Sequence, residues 1–143
     1  GYGAVIILDT NVLSELMRPA PNPAVVRWLD RQNPIDVGTT TITVAEILFG
    51  IERLPAGRRR DKLTVLAADM FDQDFTGRLF PFSAVAASHY ARQMAVLESR
   101  GRPVAMADGQ IAAICQTHRA TLATRNSKDF EGMNVVLLNP WER

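Results

Sequence analysis

Five polar side chains stand where apolar segments of the sequence give way to helical patterns or loops. They are four carboxylates and one amide: Asp9, Glu46, Asp108, Asn126 and Asp129. Carboxylates that converge repel one another unless a cation lies between them, and their hard oxygen atoms suit Mg²⁺ or Mn²⁺. A metal ion so held lowers the pKa of a bound water and stabilises the charge of a transferring phosphate. The residue types therefore indicate a metal-bound acidic cluster, provided that the fold gathers them, but they name no substrate.

Several of these positions also have an explanation that needs no chemistry. Glu46 has the spacing of a capping box with Thr43, and Asp108 would lie in a first helical turn, where the helix dipole favours acidic residues. Asp129 could be an ordinary loop carboxylate. The argument for a shared function is therefore their predicted position at one edge of the fold.

Residues 4–15 are the stretch around which we expect the chain to fold. Residues 5–8 form an unbroken apolar run, typical of a strand buried on both faces of a parallel sheet. Asp9, Thr10 and Asn11 follow that run, so Asp9 is expected at the carboxyl end of a central strand, where open α/β sheets bind ligands. A helix cap is the alternative role for these three residues.

Strands and helices alternate along the rest of the chain. Further strands are predicted at residues 37–41, 79–82, 121–124 and 135–138, with helical patterns that begin near Asn22, Thr43, Arg58, Ser83 and Ala107. This alternation predicts a three-layer α/β/α sandwich with a central, mostly parallel sheet. Right-handed crossovers place strand carboxyl ends and helix amino ends at one edge. That edge would gather Asp9, Glu46 and the 126–129 loop, and also Asp108 if its helix begins there.

Length and composition bound the remaining possibilities. The 143 residues suit one domain, 1–143, and we set residues 1–3 aside as a remnant of cloning. A net charge of +1 neither demands nor excludes nucleic acid. The single cysteine, Cys115, excludes a disulfide framework within one chain and suits the cytoplasm. No apolar run approaches the roughly 20 residues of a membrane span, so we expect no membrane association.

Four motifs resemble those of PIN-domain proteins. They are residues 8–15 (Leu-Asp-Thr-Asn-Val-Leu-Ser-Glu), 41–50, 106–113 and 124–130, and the ending Leu-Asn-Pro-Trp at 138–141 resembles one subgroup of that family. The match extends over nearly the whole chain, in order and spacing, which makes the series specific. The closest resemblance is to VapC-like ribonuclease toxins of bacterial type II toxin–antitoxin pairs, including the FitB-like branch.

The resemblance implies Mg²⁺- or Mn²⁺-dependent endonucleolytic cleavage of RNA. Asp9, Glu46 and Asp108 match the three core acidic positions and would be catalytic metal ligands. Asn126 occupies the fourth catalytic position, where some relatives have Asp and others retain Asn with a downstream Asp. Asp129 would then complete the metal site, or the three carboxylates alone would serve.

Neighbouring residues have supporting roles in this interpretation. Thr10 and Thr124 would orient ligands or water through hydrogen bonds, and a metal-bound water would attack the scissile phosphate in line. Arg125 is a candidate phosphate contact, because a guanidinium group binds phosphate through two hydrogen bonds. The basic run at 58–62 either follows an RNA backbone or is a solvated helix start.

The same resemblance implies partners. The first is a second copy of the chain in a homodimer, which can pair into a tetramer of dimers. The second is a cognate antitoxin whose C-terminal segment covers the acidic groove. DNA would be bound only through the antitoxin. The alternative is a PIN-like module that binds its partner and nucleic acid without cleaving, which uncharged Asn126 keeps open. A phospho-acceptor receiver domain is disfavoured, because the sequence lacks an acidic pair before the acceptor strand and a late lysine after a strand.

Overall fold

The predicted parallel sheet is confirmed, and all of its strand pairs are parallel. The computed structural model describes residues 4–142, so residues 1–3, which we set aside above, lie outside the described range. The strands are β1 (Ile6–Leu8), β2 (Val37–Thr40), β3 (Leu79–Phe80), β4 (Thr121–Ala123) and β5 (Val136–Leu138), in the spatial order β3-β2-β1-β4-β5. The first strand in the sequence is therefore the central one, with β2 and β4 as its neighbours.

Within residues 4–142, six α-helices connect the strands and cover the sheet. They are α1 (Thr10–Leu16), α2 (Pro23–Asp30), α3 (Thr41–Glu52), α4 (Arg58–Asp69), α5 (Ala84–Ser99) and α6 (Met106–His118). Helices begin directly after Asn22 and Ser83, near the predicted starts, and the side chains of these two residues cap α2 and α5 by accepting hydrogen bonds from backbone N–H groups. A π-helical turn, Met70–Asp74, continues α4. No helix between residues 4 and 142 is long and apolar enough to cross a membrane.

The sheet has a hydrophobic core on each face, as a three-layer sandwich requires. Ile7 packs on one side with residues of α5 and α6, and Leu8 packs on the other with residues of α1 to α4. Both side chains are fully buried, which explains the unbroken apolar run before Asp9. Trp141 packs against the second core, as is typical of a chain ending that closes over a domain.

The predicted capping box at Thr43 and Glu46 is wrong. The second strand ends at Thr40 rather than at 41, and Thr40 caps α3 by accepting a 3.0 Å hydrogen bond from the Thr43 backbone N–H. Glu46 is consequently in the second turn of α3 and not in the first. Its carboxylate is therefore available for a contact outside its own helix.

Candidate active site

Asp9 is buried at the point where β1 ends and α1 begins. Its Oδ1 accepts a 2.8 Å hydrogen bond from the Thr10 backbone N–H, so the cap is present. Its Oδ2 accepts hydrogen bonds from the Thr124 hydroxyl at 2.8 Å and from the Asn11 amide at 3.2 Å. Only 5% of Asp9 is exposed. These hydrogen bonds hold the Asp9 carboxylate between the ends of β1 and β4. Asp9 therefore caps α1 and remains part of the acidic edge at the same time.

A row of threonine hydroxyls attaches Glu46 to the same edge. The Thr10 hydroxyl donates to Glu46 Oε1 at 2.6 Å and lies 3.2 Å from the Thr43 hydroxyl, which lies 3.2 Å from that of Thr40. Since a carboxylate only accepts and Thr10 has a single hydroxyl proton, Thr43 is the donor to Thr10. The row thus directs its protons towards Glu46 and places its carboxylate beside α1.

Asp108 joins the cluster from the first turn of α6. Burial raises its pKa to about 6, with further contributions from the negative charges of Asp9, Asp129 and Glu46. The pKa of Asp9 is also raised by burial, against the lowering effect of its hydrogen bonds from Thr124 and Thr10; the charges of Glu46 and Asp129 raise it further. The structure therefore brings four carboxylates into electrostatic contact, from four separate segments of the chain.

The 124–130 loop contributes the carboxylate of Asp129 to the acidic cluster. That residue lies in the short 3₁₀ helix Ser127–Phe130, and its charge acts on Asp9 and Asp108. Asn126 is tethered at the start of the loop, where its backbone N–H donates to the Thr124 hydroxyl at 3.1 Å. The Arg125 guanidinium lies 5.1 Å from the centre of the Trp141 ring, so it packs on the chain ending. Its predicted phosphate contact and the catalytic role of Asn126 stay predictions.

Asn11 is a structural member of this site to which sequence reasoning gave only a capping role. Its amide nitrogen lies 3.2 Å from both Asp9 Oδ2 and the Thr124 hydroxyl, and its amide oxygen accepts from the Arg125 backbone N–H at 3.2 Å. It therefore joins the loop after β4 to the acidic residue after β1. The only available signal was its position next to Asp9 at a strand end.

The charge of this cluster is uncompensated. Within residues 4–142 the ion pairs are Arg18–Glu15 and Arg60–Glu52, neither of which includes a cluster carboxylate. Four such oxygen ligands fit a hard divalent cation in charge and donor type. In the present arrangement, no three His, Cys, Asp or Glu side chains of the described residues come close enough to hold one ion jointly. The carboxylates are thus spread more widely than those of a closed metal site.

An apolar cleft of about 1500 Å³ opens beside the cluster. Thr10 and Glu46 stand at its acidic side, and α1, α3 and α4 supply most of its apolar wall. Arg58, Arg59 and Lys62 line it as well, so the basic run does open a helix and also faces this cleft.

Comparison with known proteins decides the family. The family model of the PIN domain matches residues 6–134. The chain belongs to the PIN-domain family. This confirms the family resemblance that the four motifs indicated.

Relatives of this chain match it over almost its full length. Toxin FitB of Neisseria gonorrhoeae is 39% identical over 137 residues, which are 96% of this chain and 99% of that protein. VapC ribonuclease Y4jK of Sinorhizobium fredii is 38% identical over 138 residues, again 96% and 99% of the two chains. A solved structure of FitAB bound to an IR36 DNA fragment matches with a TM-score of 0.88 at 39% identity, covering 96% of each chain.

We expect this PIN domain, when free of metal ions, to gain stability as the pH falls from about 7.5 to about 5. The folded-state pKa of Asp108 is about 6, above its ordinary value of 3.8, so the folded state binds the additional proton. Ionised Asp108 destabilises the folded state, and this destabilisation is relieved as the pH falls through the folded-state pKa and Asp108 becomes protonated. Thermal unfolding with a chelator should show a Tm that rises by a few degrees, and Asp108→Asn should remove most of that rise. If the Tm of Asp108→Asn changed with pH in the same way as that of the unsubstituted protein, Asp108 would not be the group responsible.

Proposed function

We propose that this protein is the toxin of a toxin–antitoxin pair and acts as a metal-dependent endoribonuclease. The observation that carries the proposal is the uncompensated cluster of Asp9, Glu46, Asp108 and Asp129 at the carboxyl edge of the sheet. FitB and the Sinorhizobium VapC ribonuclease, a toxin and a ribonuclease by name, support it through their full-length similarity. We infer a single domain over 1–143 and an activity in the cytoplasm, where a toxin would meet cellular RNA.

Asp9, Glu46, Asp108 and Asp129 would hold Mg²⁺ or Mn²⁺, and the ion would have to draw them closer together than they lie in the present arrangement. The bound cation would supply an activated water and neutralise charge that develops on the scissile phosphate. Thr124 and Asn11 orient Asp9, and Thr10 orients Glu46, through the hydrogen bonds described above. Asn126 would offer only a neutral carbonyl oxygen. No histidine or serine nucleophile is needed.

We propose that a cognate antitoxin covers the acidic cluster and occupies the adjoining cleft. Its apolar wall and the basic side chains Arg58, Arg59 and Lys62 suit an amphipathic segment that carries acidic residues. The related FitAB complex is bound to DNA, and we propose that this chain reaches DNA only through its antitoxin. We also propose a homodimer, which would pair into a tetramer of dimers; Leu48, Phe49, Val85 and Met106 are exposed apolar side chains that such an interface would bury.

Cleavage of a mixed RNA pool tests the function. The purified chain, freed of antitoxin, is incubated with Mg²⁺, with Mn²⁺ or with EDTA. We expect cuts with either metal and none with EDTA. A folded dimer that binds its partner but cuts no RNA under any condition would instead support the second candidate, a non-cleaving PIN-like binding module, which uncharged Asn126 favours.

A further inference from the structure

A second cavity lies between α5, α6 and the segment 132–134, and it shares no lining residue with the apolar cleft. Its volume is about 480 Å³, within the range of roughly 300–1,000 Å³ that is typical of ligand sites. His89 and Arg92 line it from α5 and Arg100 from the residue that caps α5, and no carboxylate of the described part of the chain lines it. We call this cavity the α5 groove.

The floor of the α5 groove is a fixed row of polar groups. The Gln116 amide nitrogen lies 3.2 Å from Gln93 Oε1 and 2.5 Å from the Met133 carbonyl oxygen. The Gln93 amide in turn donates to the Gly132 carbonyl at 3.2 Å. These bonds join α5 and α6 to the segment after the 124–130 loop, so the groove has a defined shape.

The two arginines keep hydrogen-bonding capacity for an anion. Within residues 4–142 neither forms an ion pair, and Arg92 donates one hydrogen bond, to the Ser88 hydroxyl at 3.1 Å. Arg92 and Arg100 are eight residues apart on one face of the helix, which separates their backbones by about 12 Å. Positive charge spread over that length suits an extended anion better than a single ion.

The α5 groove leads towards the acidic cluster. Arg102, just beyond α5, donates to the Lys128 carbonyl at 2.9 Å. Lys128 directly precedes Asp129, whose charge acts on Asp9 and Asp108. Arg100 at the groove and Arg102 beside the 124–130 loop therefore place positive charge at both ends of this connection.

We propose that the α5 groove binds the phosphate backbone of single-stranded RNA outside the cleavage site. Guanidinium groups bind phosphate oxygens through two parallel hydrogen bonds, and basic grooves of this kind follow single strands without reading their sequence. The inference rests on the proposed ribonuclease function, because the bound RNA would be the substrate. It assigns to Arg92 and Arg100 a binding role that the acidic cluster cannot supply.

The test is the salt dependence of RNA binding by the doubly substituted protein Arg92→Ala/Arg100→Ala. Binding of labelled poly(U) is measured in EDTA, so that no cleavage occurs. Loss of two phosphate contacts should lower the slope of log K against log salt by about 1.4 and weaken binding at low salt by about tenfold. Arg27→Ala/Arg31→Ala on α2 is the matched control, because it removes the same charge outside the groove, and it should bind like the unsubstituted protein.

Cleavage separates this proposal from the general function. With metal present, kcat/KM of Arg92→Ala/Arg100→Ala should fall on poly(U) and stay unchanged on a short oligouridine. If the unsubstituted protein cuts no RNA but the groove variant still lowers the salt slope, the ribonuclease function fails and the groove stands. The variant Arg92→Lys/Arg100→Lys retains the positive charge and should restore most of the salt-dependence slope. Such a recovery would show that the alanine variant lost charge contacts and did not merely misfold.

Two results would overturn the proposal. One is a groove variant whose slope and affinity equal those of the unsubstituted protein or of the α2 control. The other is a groove variant that loses duplex DNA binding while it retains poly(U) binding, since the groove would then belong to a DNA surface.

Discussion

Asp9→Asn should lower kcat/KM for RNA cleavage by at least about a thousandfold. Asp9 lies within the cluster, where it accepts a hydrogen bond from Thr124 directly after β4 and its pKa is raised by the charges of Glu46 and Asp129. An asparagine has the same shape and can still cap α1, but it removes the negative charge that would hold the cation. Cleavage of the RNA pool with Mn²⁺ measures the loss, and Asp108→Asn should behave in the same way.

The fold should survive this substitution. Burial raises the pKa of Asp9, so ionised Asp9 is unfavourable in the metal-free folded state, and a neutral amide should leave the Tm unchanged or higher. Asp61→Asn makes the same chemical change at an exposed position in α4 and should cleave normally. If Asp9→Asn cleaved RNA as fast as the unsubstituted protein, the acidic cluster would not be the catalytic site.

Gly38→Ala should destabilise the protein by about 3 kcal/mol. A Cβ at this position in β2 would lie 2.5 Å from the Arg78 carbonyl oxygen and 2.7 Å from Phe80 Cε2. The carbonyl cannot retreat freely, because it accepts the Thr39 backbone N–H at 3.1 Å, and the Arg78 side chain is bonded to the Val37 carbonyl at 2.7 Å. Urea denaturation with a shared m-value gives the change in the free energy of unfolding.

Gly50→Ala is the matched control for that substitution. Gly50 lies within α3, and a Cβ there meets nothing within 4 Å. Alanine should therefore stabilise the helix by about 0.5–1 kcal/mol, because it loses less backbone entropy than glycine. If Gly38→Ala unfolds at the same urea concentration as the unsubstituted protein, the spacing of β2 and β3 does not require a glycine at position 38.

The order of elements was predictable because the apolar runs and helical patterns are local. The run before Asp9 predicted a central strand, and its two fully buried residues face opposite cores. The error at Thr43 arose because Thr40 and Thr43 both precede the apolar residues Ile47 and Ile51, whose spacing marks the helix, although α3 already begins at Thr41. The local spacing of Thr43 and Glu46 fits a capping box, yet the strand ends earlier, and Glu46 accepts a hydrogen bond from Thr10 on another helix.

The acidic site was predictable only as far as topology allows. Parallel strands with right-handed crossovers place Asp9 and the loop after β4 at one edge, but the direction of α6, which decides the position of Asp108, is not encoded in a local pattern. The role of Asn11 was missed for a similar reason. Its contact with Thr124 spans 113 residues of sequence, and it exists only because β1 and β4 are neighbours.

The central position of β1 has a consequence for synthesis of the chain. This strand is translated early, but the hydrogen bond that joins Asp9 to Thr124 spans 115 residues, so neither the sheet nor the cluster can be complete until β4 has left the ribosome. At about 5–20 residues per second, that interval is of order ten seconds. For an enzyme of the kind proposed, the nascent chain would be inactive during that interval, and the cell would have that time to supply the inhibitor.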